Sequence, residues 1–205
     1  MLTNIVFDMG GVMIRWDPPF FIHRLGITDP ADQALLLQEV YHCPQWKLTD
    51  LGEMSEKELE PIVLARLPER LHEAAHQLIF HWDLLTEPIA GMAQLARDCK
   101  AAGLHVYLLS NASCRQPEYW SQVPGSEVFD GTVVSGFIRK LKPSPDIYNY
   151  LLETFRLKAD ECLFIDDMDI NVRGARAVGM DGFVFTGDAN ALRQYIADRV
   201  PNFIR

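Results

Sequence analysis

The sequence lacks the features that would place the protein in a membrane or on a nucleic acid. No apolar run comes near the ~20 residues that a membrane-spanning helix needs, and no basic segment followed by an apolar stretch suggests a signal peptide. Basic residues are outnumbered, 19 Lys and Arg against 28 Asp and Glu, so the net charge is −9. This balance argues against nucleic acid or an anionic membrane as the main partner, and leaves room for a small anionic substrate in a locally positive pocket.

Cysteine is scarce and shows no pairing pattern. The absence of any C-x-x-C pair favours reduced thiols in a cytoplasmic protein over a zinc knuckle or a disulfide framework. The four cysteines are Cys43, Cys99, Cys114 and Cys162. Internal repeats and low-complexity tracts are also absent. A chain of 205 residues that is 48% hydrophobic and 23% charged is typical of one globular domain, or of one domain with an insert.

Short apolar runs alternate with helical patterns along most of the chain. The predicted strands cover residues 4–7, 104–109, 162–165 and 183–185. The predicted helices cover residues 88–102, 144–156, a short segment that ends at Gly179, and 188–199. This alternation predicts the α/β class, with a doubly wound parallel sheet and helices on both of its faces.

Residues 18–87 interrupt the alternation, because their pattern is helical throughout. Ser55 begins a capping box, Pro61 is expected to shorten or kink the helix that follows, and Pro68 opens another helix that runs to about residue 82. We therefore expect a helical insert between the first strand and the rest of the sheet.

Polar residues stand where three of the predicted strands end. Asp8 follows the first strand, Ser110 and Asn111 follow the second, and Asp166 and Asp167 follow the third. Ligands of parallel α/β sheets bind at the carboxyl ends of the strands. The sequence therefore predicts that these side chains meet at one edge of the sheet.

These residue types suit phosphoryl transfer. A carboxylate such as Asp8 is ionised at neutral pH and can attack phosphorus to form an acyl phosphate. Mg²⁺ held by Asp8, Asp166 and Asp167 would relieve the repulsion between two anions. Lys142, in a Pro-rich loop before a helix, adds a compact positive charge, and the hydroxyl and amide after the second strand can donate hydrogen bonds to phosphate oxygens.

Four motifs occur in a fixed order along the chain. They are VFDMGGV from residue 6, LLSN from residue 108, KPSPDIY from residue 142 and FIDDMDIN from residue 164. In this order they resemble the motifs of the haloacid dehalogenase superfamily of aspartate-nucleophile hydrolases, over essentially the whole chain. The resemblance implies a Rossmann-like core of residues 1–16 and 88–205, a flap just after the first strand, and a four-helix cap over residues 17–87.

The resemblance also implies how a metal would be held. Asp8 would be the nucleophile, and the backbone carbonyl of Gly10 would join it on Mg²⁺. Asp167 would be the direct acidic ligand, and Asp166 would be either a further ligand or a partner of one.

The substrate would be held from two sides. The resemblance implies that Ser110 and Lys142 hold the phosphoryl group, with Asn111 alongside. Three of the four tryptophans fall in or beside the predicted cap, and large aromatic side chains both pack in cores and stack on sugars or rings. Trp16 and Trp46 are the candidates for contact with the organic part of the substrate.

Two positions depart from the superfamily's pattern. Most of its phosphatases carry a second Asp two residues after the nucleophile, which protonates the leaving group and then activates water, whereas Gly10 stands there. The DxGGV form followed by Trp16 and Asp17 looks like the branch related to epoxide-hydrolase N-terminal domains and sugar-phosphate phosphatases. The acid would then be water, a cap side chain, or unnecessary for a good leaving group. Asn171 stands where many relatives have an acid, which implies weaker metal binding.

A second metal motif occurs in the predicted cap. Residues 72–76 read HEAAH, a literal H-E-x-x-H, which on a helix is the zinc-peptidase pattern. His81 does not match the longer spacing for a third ligand. We therefore favour ordinary cap histidines here, and stoichiometric zinc in the purified protein would contradict this interpretation.

The sequence as a whole predicts a Mg²⁺-dependent phosphatase that acts on a small phosphorylated metabolite, by resemblance a sugar phosphate, through an aspartyl-phosphate intermediate. One alternative is a 2-haloacid dehalogenase, which attacks carbon without a metal but typically has Tyr where Gly10 stands. The other is a non-catalytic phosphate-binding relative. We expect no nucleic-acid or membrane partner, and either a monomer or a homodimer.

Overall fold

A five-stranded parallel sheet organises the chain. The computed structural model describes residues 1–201 and 203. Within them the strand order is β3-β2-β1-β4-β5, with every neighbouring pair parallel. The strands are β1 (Asn4–Phe7), β2 (His105–Ser110), β3 (Gly131–Val134), β4 (Cys162–Asp166) and β5 (Asp181–Val184). The chain winds outward from β1 in one direction and then in the other, which confirms the predicted doubly wound sheet.

The central strand is apolar on both faces because helices cover both sides of the sheet. All four residues of β1 are buried. Ile5 and Phe7 join the larger core cluster, whereas Val6 points into the smaller one. Strands buried on both faces read as continuous apolar runs, which explains why the sequence showed this strand so clearly.

Six α-helices accompany the sheet. They are α6 (Met92–Ala101), α7 (Gln116–Trp120), α8 (Ser135–Ile138), α9 (Pro145–Phe155), α10 (Asp169–Ala177) and α11 (Ala189–Ala197). Side chains of α6 and α11 pack with Ile5 on one face, and those of α9 and α10 pack with Val6 on the other. None of the helices in residues 1–201 and 203 is long and apolar enough to cross a membrane.

Five short α-helices lie between β1 and α6. They are α1 (Pro18–Arg24), α2 (Pro30–Leu36), α3 (Pro44–Asp50), α4 (Glu56–Leu64) and α5 (His72–Phe80). The resemblance implied four. The difference arises at Pro44, which cannot continue the π-helical turn Leu37–Tyr41 after α2 and instead opens a new helix. The capping box of Ser55 and Glu58 is present, and α4 ends three residues after Pro61.

Several predicted boundaries are wrong. The helix predicted over 88–102 begins only at Met92, because Pro88 pairs with Ile14 and the Ile89 N–H donates to Met13 O. The helix predicted from Pro68 to about residue 82 is broken into a 3₁₀ turn, α5 and a second 3₁₀ turn.

Two strands also differ from the prediction. The four residues of β3 were not predicted, because a short edge strand beginning with Gly131 has too little pattern to detect. β5 begins two residues earlier than predicted. The division into a core of 1–16 and 88–205 and a cap of 17–87 stays a prediction, and its last part, residues 202, 204 and 205, lies outside the described residues.

Candidate active site

Three strand ends bring the predicted polar residues together. Ser110 is the last residue of β2 and Asp166 the last of β4. Asp8 follows β1, and its N–H donates to Ile165 O at 2.9 Å, so the ladder between β1 and β4 extends one residue further. This bond fixes the backbone of Asp8 beside the end of β4, at the switch point where doubly wound sheets bind ligands.

Lys142 joins two of these carboxylates. Its Nζ lies 2.7 Å from Asp8 Oδ1 and 2.7 Å from Asp166 Oδ2, and only 1% of its side chain is exposed. The Asn111 side chain holds the same lysine by its backbone: Asn111 Nδ2 donates to Lys142 O at 3.1 Å, and the Lys142 N–H donates to Asn111 Oδ1 at 2.9 Å. The amide of Asn111 thus orients the loop that carries Lys142.

Asp166 is fully buried, and both of its oxygens have partners. Oδ1 accepts from the Met168 N–H at 2.8 Å, and Asn171 Nδ2 lies 3.0 Å from Oδ1 and 3.1 Å from Oδ2. Lys142 supplies the remaining contact. Asn171, which the sequence marked only as a departure from the superfamily's pattern, therefore orients Asp166.

The electrostatics of this group favour a further cation. Burial raises the pKa of Asp8, Lys142 lowers it, and Asp166 raises it further. Burial alone would lower the pKa of Lys142. The carboxylates of Asp8 and Asp166 outweigh this effect, so the pKa of Lys142 is raised. Burial and Asp166 also raise the pKa of Asp167. When all are ionised, three carboxylates and one ammonium leave a net charge of −2, which a divalent cation would balance.

The donor set fits Mg²⁺. Carboxylate oxygens of Asp8, Asp166 and Asp167 lie within 4.8 Å of one another, and they are the hard ligands that this ion prefers. Gly11 makes room for the third of them. With φ at +73°, Gly11 adopts a backbone conformation that favours glycine, and a Cβ there would lie 2.4 Å from the Asp167 carboxyl carbon.

A cavity of about 460 Å³ opens above these residues. Its polar floor consists of Asp8, Ser110, Lys142 and Asp167, with Asp166 beneath. Gly10 and Asn111 also line the cavity. The Ser110 hydroxyl has no hydrogen-bond partner among residues 1–201 and 203, although the residue is only 2% exposed. This hydroxyl is therefore available to a ligand in the cavity.

An aromatic wall covers the other side of the cavity. It consists of Trp16, Tyr41, Trp46, Trp82 and Tyr119. The ring centroids of Trp16 and Trp82 are 4.8 Å apart, as are those of Trp82 and Tyr119, while Tyr41 and Trp46 are 4.7 Å apart. Mostly edge-to-face contacts of this kind hold the rings in a continuous surface. Trp16 and Trp46, the predicted contacts for the substrate, both belong to it.

Other cavity residues escaped the sequence analysis. Asp50 and Glu56 come from the helical region before β2, and Ser113 and Tyr119 follow β2. No motif marks them, because each reaches the cavity only through the packing of that region on the sheet. A chain-wide search for carboxylates would have found too many candidates to choose among.

The two histidines of the HEAAH segment contact different neighbours. His72 Nε2 is 3.0 Å from Leu67 O, and His76 Nδ1 is 2.6 Å from Glu60 Oε1. Among the described residues, the single cluster of three or more side chains able to hold a metal is that of Asp8, Asp166 and Asp167. The interpretation of these histidines as ordinary side chains stays a prediction.

The strand-end residues occur in a fixed order and converge on one cavity. A comparison of the sequence with models of known families leads to the same conclusion as this arrangement. The model for haloacid dehalogenase-like hydrolases matches residues 3–179. The chain belongs to this family. It is therefore a hydrolase of the haloacid dehalogenase type, as the four motifs indicated.

Relatives within the family support this assignment. The sesquiterpene phosphatase astK of Aspergillus oryzae is 27% identical over 188 residues, which cover 88% of each protein. The D-ribitol-5-phosphate phosphatase of Bacteroides thetaiotaomicron is 27% identical over 207 residues, covering 89% of this chain and 91% of the relative. A haloacid dehalogenase family enzyme from Bacteroides thetaiotaomicron, solved with magnesium and inorganic phosphate, shares the fold with a TM-score of 0.72 at 19% identity, covering 94% of this chain and 99% of that one.

Proposed function

We propose that this hydrolase is a Mg²⁺-dependent phosphatase that cleaves small phosphoric monoesters through an aspartyl phosphate. The observation that carries the proposal is the contact of Lys142 with both Asp8 and Asp166 on the floor of the cavity. The strand-end carboxylate of Asp8 provides the nucleophile, and the buried Lys142 beside it provides a positive charge. Two of the relatives that this chain resembles over most of its length are named phosphatases, which supports the same reaction.

Asp8 is oriented for attack on phosphorus. Its Oδ1 accepts hydrogen bonds from the Met9 N–H and from Lys142, each at 2.7 Å, whereas Oδ2 has no hydrogen-bond partner among the described residues. The hydrogen bonds to Oδ1 fix the orientation of the carboxylate, and Oδ2 is free to react. Lys142 and the Ser110 hydroxyl then offer donors for the phosphoryl oxygens, with Asn111 holding the lysine loop.

Mg²⁺ would be held by Asp8, Asp167 and the backbone carbonyl of Gly10, with Asp166 beneath them. When bound, the ion offsets the repulsion between the anionic nucleophile and the anionic phosphate. The role of the protein is to hold the carboxylates of Asp8, Asp166 and Asp167 close together. Asn171 contributes because it orients Asp166 without adding another negative charge.

The substrate is a small molecule whose organic part lies against the aromatic wall. The cavity has room for a phosphate and a fragment of sugar size, and it lies beneath the helical region. We favour a sugar phosphate, because Thr49, Asp50 and Glu56 place polar groups beside the rings. One relative is named a D-ribitol-5-phosphate phosphatase and another a sesquiterpene phosphatase. The polar and the aromatic parts of the cavity therefore have to be tested against a polyol phosphate and a prenyl phosphate.

The test is hydrolysis of p-nitrophenyl phosphate with Mg²⁺ and with EDTA, beside Asp8→Asn. We expect Mg²⁺-dependent turnover that Asp8→Asn abolishes, because the amide cannot act as the nucleophile. A panel of sugar phosphates and a prenyl phosphate then identifies the substrate class. Halide release from a 2-haloacid without metal would instead indicate a dehalogenase. Phosphate binding without turnover of any ester would indicate a non-catalytic relative.

A further inference from the structure

Position 10 has no side chain, and the structure shows what occupies the space beside it. A Cβ at Gly10 would lie 3.1 Å from Trp16 Cβ and 3.4 Å from Trp16 Cγ. The indole of the aromatic wall therefore stands where a longer side chain at position 10 would extend. A proton donor for the leaving group has to come from another part of the cavity.

Several groups with a dissociable proton line the cavity from outside the polar floor, and most are already engaged. The Tyr41 hydroxyl donates to Leu78 O at 3.1 Å. Glu56 Oε1 accepts a short hydrogen bond from Ser113. Burial raises the pKa of the Tyr119 phenol well above its usual range, so it does not exchange protons at neutral pH. His42 also lines the cavity, but its side chain is exposed, so it lacks the shelter from bulk water that the other groups have.

Asp50 is sheltered and still unengaged. It lines the same cavity as Asp8 and Lys142, and its carboxyl group makes no hydrogen bond or ion pair with any of the described residues. The backbone around it is held firmly against α8. Ser135 Oγ donates to Asp50 O at 2.6 Å, and the neighbouring turn packs so tightly that a Cβ on Gly52 would lie 1.9 Å from Gly136 O. The structure thus anchors the main chain of Asp50 and leaves its side chain available.

The charges that face Asp50 come from three elements. Glu56 at the start of α4 is a like charge, Lys142 on the floor is an opposite charge, and the Tyr119 hydroxyl of α7 is neutral. Burial and Glu56 raise the pKa of Asp50 to about 7, against the opposing effect of Lys142. A carboxyl group in this range gives up a proton and takes it back at neutral pH, which general acid–base catalysis requires.

We propose that Asp50 is the general acid and base of the reaction, in place of the residue missing at Gly10. This inference rests on the proposed phosphatase function. Its geometric basis is an anchored, unpartnered carboxyl group in the cavity, with Trp16 closing the space beside Gly10.

The two half-reactions balance with this single residue. In the first, Asp8 Oδ attacks phosphorus, the ester P–O bond breaks, and the leaving oxygen takes the proton of the Asp50 carboxyl group. In the second, water attacks the same phosphorus and loses a proton to the Asp50 carboxylate. The bond between phosphorus and Asp8 breaks, its electron pair returns to the Asp8 carboxylate, and inorganic phosphate leaves.

The test compares leaving groups in Asp50→Asn. An alkyl phosphate, such as a polyol phosphate that the wild type hydrolyses, needs a proton on its leaving oxygen, whereas p-nitrophenyl phosphate needs very little. We expect kcat for the alkyl ester to fall by about 10²–10⁴-fold and the first step of the aryl ester, followed as a burst of p-nitrophenol, to change far less. The alkaline limb of the wild-type profile of kcat/KM for the alkyl ester is expected to disappear.

Glu56→Gln is the matched control, because it removes the other cap carboxyl group, which already accepts from Ser113. It is expected to affect both esters by the same factor. Equal losses on both esters in Asp50→Asn, or an unchanged rate on the alkyl ester, would overturn the role of Asp50 while leaving the phosphatase intact. Absence of ester hydrolysis in the wild type would instead overturn the proposed function itself.

Discussion

The two sides of the cavity are built on different principles. On the polar floor, Lys142 bridges Asp8 and Asp166, while Asn111 holds the backbone of Lys142 and Asn171 orients Asp166. On the side of the aromatic wall, rings touch mostly by their edges, and the carboxyl group of Asp50 has no hydrogen-bond or ion-pair partner among the described residues. A floor whose charged groups hold one another in place suits a reaction whose geometry must not vary. An aromatic wall with an unpartnered carboxyl group beside it suits a surface that selects the organic part of the substrate.

Lys142→Met is the strongest way to disrupt the floor. It leaves Asp8 and Asp166 buried without their common cation, so we expect a loss of about 3–5 kcal/mol in the free energy of unfolding at neutral pH. Hydrolysis is expected to fall at least ~10³-fold, because the donor to the phosphoryl group is lost. Urea denaturation and steady-state kinetics measure the two effects. Lys140→Met, in the same loop and without an ion pair among the described residues, is the control and is expected to change neither.

Gly11→Ala tests whether the floor needs Asp167 in its present place. The added methyl group meets the Asp167 carboxyl group, so we expect the Mg²⁺ concentration for half-maximal activity to rise about 10–100-fold. Gly26→Ala is the control: its φ is +78°, close to the +73° of Gly11, but nothing lies within 4 Å of the added Cβ. A similar shift in Gly26→Ala would assign the effect to backbone strain instead of contact with Asp167.

Beside the aromatic wall, Asp50→Asn is expected to stabilise the protein while lowering its rate of hydrolysis. Because burial raises the pKa of Asp50 from 3.8 to about 7, the folded state holds a proton that the unfolded state has lost. Stability from this group is therefore greatest below about pH 4 and falls as the pH rises to about 7. Asparagine avoids this penalty, so the variant gains about 1–3 kcal/mol at pH 8 and nothing at pH 3.5. Urea unfolding at both pH values measures the difference, and an equal gain at both would contradict it.

Trp46→Ala and Trp16→Ala test the aromatic wall as a selective surface. Each is expected to change the ratio of kcat/KM between a bulky ester and p-nitrophenyl phosphate by about 10-fold, because each ring contributes roughly 1–2 kcal/mol of contact with the organic part. The thermal midpoint is measured on the same samples. A fall in midpoint with an equal loss on every substrate would show that the rings serve only packing.

The smallest effect is expected at His76→Ala, outside both sides of the cavity. His76 Nδ1 makes a partly exposed contact with Glu60 Oε1, which is worth at most ~1 kcal/mol. Activity is expected to stay at the wild-type level, and metal analysis of the wild type is expected to find no stoichiometric zinc. If the wild type contained stoichiometric zinc and His76→Ala did not, the HEAAH segment would be a metal site after all.

Much of the floor was predictable from local sequence. Each of Asp8, Ser110 and Asp166 follows an apolar run, and parallel strands end at one edge of a sheet, so the order of the motifs was enough to place them together. The same reasoning missed β3, because four residues at a sheet edge carry little periodicity. It also extended α6 by four residues, because the pairing of Pro88 with Ile14 is a long-range contact that no local pattern encodes.

The sequence by itself determined the class of fold, the family and the residues of the floor, because these depend on strand ends and on motifs a few residues long. Only the tertiary structure decided that Trp16 fills the space beside Gly10, that Asn171 orients Asp166, and that Asp50 enters the cavity without a partner. These facts depend on how a helical segment packs on a sheet far away in the chain. Side chains that meet only through such packing leave no mark in the order of the residues.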